Sequence, residues 1–160
     1  MLLLTNSMQA YFREALDAAM RKANIHVTET AQVYVVHLLN EFSRTEVVFS
    51  GTDYGENISM ALMFDRAMSA DHLEAPKIYR HLGDISLYML GFFRESMVKR
   101  VVSHDYYKEM GAQAYLHASS LSRAHASHRA ALFYELYERF NDMVLVVENV
   151  AKYKQITENN

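Results

Sequence analysis

Six apolar side chains, Leu132, Leu136, Phe140, Met143, Val147 and Val150, follow one another at intervals of three and four residues. That period places them on one face of an α-helix and is incompatible with the two-residue period of a strand. Phe133, Tyr137 and Val144 add an apolar flank, so the helix predicted over 127–153 is covered on more than one side. At ~1.5 Å per residue, about 26 residues would span close to 40 Å, more than a compact domain of this size offers. Either this helix bends or part of it packs against a second chain. One proline and five glycines are too few to punctuate a β-sandwich or barrel. Hydrophobic residues make up 51% of the 160, enough for a genuine core. The expected fold is a single all-α domain over 1–160, a bundle of five or six helices with a long C-terminal helix.

The remaining helices follow from the same period. The first is predicted over 6–23 with Met8, Phe12, Leu16 and Ala19 inward and Asn6 or Ser7 as cap. Asn24, which tolerates a left-handed backbone, closes it. A second follows Thr28 and reaches Phe42, with Ala31, Val35, Leu38 and Phe42 as its stripe. Val33, Val36 and Leu39 make it apolar nearly all round, the mark of a central helix. Residues 50–56 read as a loop, and a shorter helix over 58–69 turns Met60, Ala61, Phe64 and Ala67 inward. Pro76 suits the first turn of a fourth helix running to about residue 100, and Ser103 caps a fifth. Residues 119–127 form a soft junction without Gly or Pro, through which a continuous helix could also pass.

Several function classes are excluded by composition. Without cysteine there is no disulfide scaffold, zinc finger or thiol nucleophile. A formal net charge of −3 does not suit a general nucleic-acid binder. No run approaches the ~20 apolar residues of a membrane span, and the apolar Met1–Leu4 lacks a basic flank or cleavage site. The Asn57-Ile58-Ser59 sequon is then a chance match. The expectation is a soluble, cytoplasmic protein without nucleic-acid or membrane partners.

Chemistry concentrates in the fourth helix. Ile78, Leu82, Ile85, Met89 and Phe92 form its core face, while His81, Asp84, Tyr88 and Glu95 line one flank at spacings of three, four and seven. His81 and Asp84 can hydrogen-bond at that spacing, as can Asp84 and Tyr88. Leu87 and Leu90 cover the back, so a carboxylate here must be satisfied or functional. Gly83 and Gly91 each weaken the helix by roughly 1 kcal/mol relative to alanine, which implies close approach of another helix or a ligand. On one reading the glycines admit a neighbour and His81–Asp84 is a structural pair. On the other the flank lines a pocket, with Asp84 fixing the tautomer of His81 or a bound water.

Residues Tyr79-Arg80-His81-Leu82-Gly83-Asp84-Ile85-Ser86 resemble the distal helix of haem oxygenases. The resemblance implies that Gly83 lets the helix cross a haem face and that Asp84 organises water. It also implies a proximal ligand from an early helix, where His26 and His37 are available. The Gly-Gly of that pattern is replaced by Leu87-Tyr88, which would crowd a haem. More broadly, His81-Leu82-Gly83-Asp84 followed by Gly91-Phe92-Phe93, together with Asp105-Tyr106-Tyr107, Gly111 and Ala114-Tyr115, resembles a family of uncharacterised bacterial helical proteins over 77–118. That similarity implies a stable fold type and supplies no activity.

Among the eight histidines, His37 lies four residues before Glu41, a spacing at which both reach one ion. The paired Glu-x-x-His of di-iron bundles is absent, and His37, Glu41 and Arg44 read more simply as a polar ladder along the helix. His125 and His128 fall in the polar junction. In the fifth helix Gly111, Ala114 and Ala118 allow close helix approach beside Tyr107 and Tyr115. Those phenols need partners when buried, and Asp84 or Arg44 would serve. No nucleophile elbow or phosphate loop is present. The sequence therefore favours a non-enzymatic helical module without metal or cofactor, self-associating as a dimer, with a regulatory or scaffolding role and room for a protein partner. The second reading is a small-molecule or cofactor-binding bundle, haem included. Its site would comprise His81, Gly83, Asp84, Tyr88, His37, Glu41, Arg44, Tyr107 and Tyr115.

Overall fold

A computed structural model describes residues 2–44, 53–94 and 104–159, with side chains described at 7–44, 60–94 and 104–153. These form α1 (Leu2–Ala23), α2 (Glu29–Ser43), α3 (Asp53–Ser69), α4 (Ala75–Phe92), α5 (His104–Ser122), α6 (Ser127–Glu138) and α7 (Phe140–Asn159). The described residues are thus all-helical, with seven helices rather than five or six.

Local chemistry sets most boundaries. Asn24 takes φ 55°, and Ile25 N–H donates to Met20 O at 3.0 Å, closing α1 with a left-handed cap. Thr28 caps α2 from an extended backbone, its hydroxyl accepting from Ala31 N–H at 3.2 Å. Asp71 Oδ1 accepts from both Leu73 and Glu74 N–H at 2.9 Å, building the turn that feeds α4, and Pro76 lies in that helix's first turn.

Other boundaries differ from expectation. Helix α1 starts at Leu2, before the expected caps, and Asp53–Glu56 belong to α3 rather than a loop. Helix α4 stops at Phe92, where Phe93 N–H donates to Met89 O at 2.9 Å. Glu95, Ser96 and the cap Ser103 lie outside the described residues. Within the junction at 119–127 the chain leaves the helix at 123–126, between α5 and α6. The long C-terminal helix is also interrupted, at Arg139 (φ −101°, ψ 20°). Arg139 Nε donates to Asp142 Oδ2 at 2.8 Å, restarting the chain as α7. The stripe survives the break: Leu136, Phe140, Met143, Val147 and Val150 are all buried. A single non-helical residue lets α6 pack on α5 while α7 turns to lie along α4 and α1.

Helix α4 is the axis of the bundle. Every residue from Leu82 to Gly91 is buried, and the helix packs on α5, α7, α3 and α2. Its second glycine fixes the fit to α7: a Cβ on Gly91 would lie 2.2 Å from Val147 Cγ1 and 3.2 Å from the Val147 carbonyl carbon. Because backbone as well as side chain is in the way, Gly91→Ala should destabilise the fold by about 1–3 kcal/mol in urea unfolding. Combining it with Val147→Ala should recover part of that loss. A Gly91→Ala protein as stable as the parent would show that this packing is looser than described.

Candidate functional site

Asp84 lies buried at the middle of α4, and its partners come from helices distant in sequence. Tyr34 of α2 donates its phenol to the carboxyl group, 2.8 Å from Oδ1 and 2.9 Å from Oδ2. Tyr115 of α5 donates to Oδ1 at 2.7 Å. Tyr115 reaches this position because residue 83 is glycine: a Cβ there would stand 2.6–2.8 Å from Cε1, Cδ1 and Cζ of the Tyr115 ring. The ring continues into the core, parallel to Phe133 at 6.1 Å and tilted against Phe140 at 6.0 Å.

Burial is the largest influence on Asp84 and pushes its carboxyl up to about 7, while the two phenols and the nearby Arg80 charge pull it down. Tyr115 and Tyr34 are pushed well above the ordinary phenol range, first by burial and then by the charge of Asp84. The cluster can hold a proton near neutrality, since a neutral Asp84 could donate from Oδ2 to Tyr34 Oη while Tyr115 still donates to Oδ1.

The other expected site residues are scattered. His81 is exposed and stacks on Phe42 at 6.1 Å, so Asp84 draws its bonds from the tyrosines and not from its i−3 neighbour. Partial desolvation, then the Arg80 charge, hold His81 below the usual imidazole range. Tyr88 is buried, stacked between Phe42 at 5.3 Å and Phe92 at 4.8 Å. Tyr107 is buried with its ring edge-on to Tyr106 at 6.2 Å. His37, Glu41 and Arg44 are exposed on α2, and His37 Nδ1 meets Gln9 Nε2 at 3.1 Å. Among the described residues no three His, Asp or Glu side chains gather as a metal site. Tyr34 was the member that spacing did not reveal; its signal is a lone phenol in the apolar run of α2, which demands a partner once buried.

No family model, curated protein or solved structure matches the chain. The site must be judged on its own geometry. The space over Gly83 is filled by the ring of Tyr115, and Leu87 and Tyr88 are fully buried in the next turn.

The raised carboxyl has a signed consequence. Between about pH 4 and 7 the native state keeps the Asp84 proton that the unfolded chain, with its ordinary value of 3.8, has lost. Stability from this group therefore falls as pH rises through that window and levels off above it, by at most about 4 kcal/mol. Asp84→Asn should remove that slope, so that the difference between variant and parent shifts in the variant's favour from pH 4 to 8. Parallel pH–stability curves for the two proteins would contradict the assignment. Tyr115→Phe, which takes away one donor, should cost about 1–3 kcal/mol.

Proposed function

We propose that the chain is a non-enzymatic helical module that self-associates and serves a regulatory or scaffolding role. The supporting observation is the distribution of exposed apolar surface. Met68, Leu73 and Leu62 are the most exposed large apolar side chains among the described residues, at 71%, 62% and 59%. All belong to α3 or the turn after it. That helix packs chiefly on α4, so among the described residues no other element covers its outer side, and a concentration of such groups marks an interaction face. The polar cluster argues the same way from inside: Asp84, Tyr34 and Tyr115 satisfy one another, and the ring of Tyr115 closes the approach over Gly83. No helix among the described residues is long and apolar enough to cross a membrane. A second copy of the chain is the occupant proposed for this face.

Sedimentation velocity should find a dimer in the parent protein. Leu62→Glu combined with Leu73→Glu should weaken it on the order of tenfold or more, with an unchanged melting temperature because neither side chain belongs to the core. A parent protein monomeric at all accessible concentrations would sink this reading. Absorption spectra address the cofactor question separately. Added haem should give no Soret band that depends on His37 or His26; a ligated spectrum lost in His37→Ala would restore the cofactor-binding alternative.

A further inference from the structure

The side of α3 that turns toward α5 borders a groove of about 470 Å3, within the size range of small-molecule sites. Phe64 and Met68 of α3 face Tyr106 and Met110 of α5 across it, and Asp65 and Glu109 bring one carboxylate from each wall. Among the described residues no basic side chain lines the groove. Phe64 is held from behind, edge-on to Tyr79 at 5.5 Å and to His117 at 6.1 Å. Met110 is buried and forms a floor, whereas Met68 is exposed and free to close over an occupant.

Asp65 and Glu109 are exposed, and neither carboxylate has an ion pair or side-chain hydrogen bond among the described residues. Two like charges above an apolar floor repel carboxylates and phosphates and attract a cation with an apolar body. The aromatic ring of Phe64 favours the same charge.

We propose that this groove binds a small amphipathic organic cation, an ammonium or guanidinium carried on an aromatic or alkyl body. The charged head lies between Asp65 and Glu109, and the body rests on Phe64, Met68 and Met110. The groove shares Met68 with the exposed apolar face, whereas Leu62 and Leu73 are not part of its lining.

Phenylbutylammonium serves as probe, with phenylbutanol and phenylbutyrate as its neutral and anionic counterparts, followed through the Met68 and Met110 methyl signals by NMR. The ammonium should shift both signals saturably and bind about tenfold more tightly than the alcohol, the scale of two partly exposed ion pairs. The butyrate should bind more weakly still. Asp65→Asn with Glu109→Gln should bring the ammonium to the affinity of the alcohol while melting temperature and native mass stay unchanged. Equal affinity for ammonium and alcohol, an undiminished affinity in the double variant, or no shift at either methionine would overturn the proposal. So would a response to a lysine-bearing amphipathic peptide alone, which would assign the groove to a macromolecular partner. Native mass is read in the same samples, so failure here stays distinct from failure of the dimer.

Discussion

The carboxyl group of Asp84 must be sealed, and the arrangement of most of the core follows from how that is done. A buried carboxyl without donors would cost several kcal/mol, and this one takes them from α2 through Tyr34 and from α5 through Tyr115. Tyr115 can approach only over a residue without a Cβ, which ties the identity of Gly83 to the hydrogen bond made by its neighbour. The same ring stacks on Phe133 of α6, which in turn meets Tyr34 edge-on at 5.9 Å. A closed circuit results, in which α2, α4, α5 and α6 each depend on contacts made by the others.

The surrounding packing repeats the device with apolar partners. Gly111 of α5 lies against Ser86 of α4 and Phe140 of α7, with either neighbour only 2.6 Å from where a Cβ would stand. Gly91 receives Val147 in the same manner. Small residues at the helix crossings bring the axes close, and large ones fill the space beside them at the density of a well-packed interior. A second tie joins α2 to α6: Glu135 accepts from the backbone N–H and the hydroxyl of Thr28. The residue that caps α2 thereby also fixes where α6 lies.

Much of this was legible in the sequence, and the parts that were not share a cause. Asn24 and Pro76 act locally, one through a left-handed backbone and the other through its fixed φ, so their roles could be read directly, whereas Thr28 marked only where α2 begins. The stripe correctly named the buried side chains from Leu136 to Val150, but Leu132 is only half-buried and the break at Arg139 was concealed. Periodicity reports which face is covered, and a one-residue turn that keeps the face covered leaves no trace in it. The glycines of α4 announced close approach without saying by what. The pairing of His81 with Asp84 failed for a related reason. An i, i+3 spacing makes a contact available, but the carboxyl turns into the bundle while His81 stays at the surface on Phe42. Tyr34 lies 50 residues from Asp84 in sequence, and no local pattern encodes such a meeting.

The separation of the polar cluster from the exposed apolar face bears on where function resides. A carboxyl with its proton affinity near neutrality would suit acid–base work in a cleft, yet Asp84 meets phenols that are themselves held protonated by burial. Its charge state is coupled to the stability of the fold. Helix α3 stands at the opposite extreme. It rests mainly on α4, shows Leu62 and Met68 to solvent, and flanks a groove with two carboxylates that have no ion pair among the described residues. Elements with few buried contacts are the ones that can be covered or rearranged at small cost to the whole fold. The bundle is therefore divided between a core closed by Asp84 and Tyr115 and a rim on which Leu62, Met68, Asp65 and Glu109 are exposed.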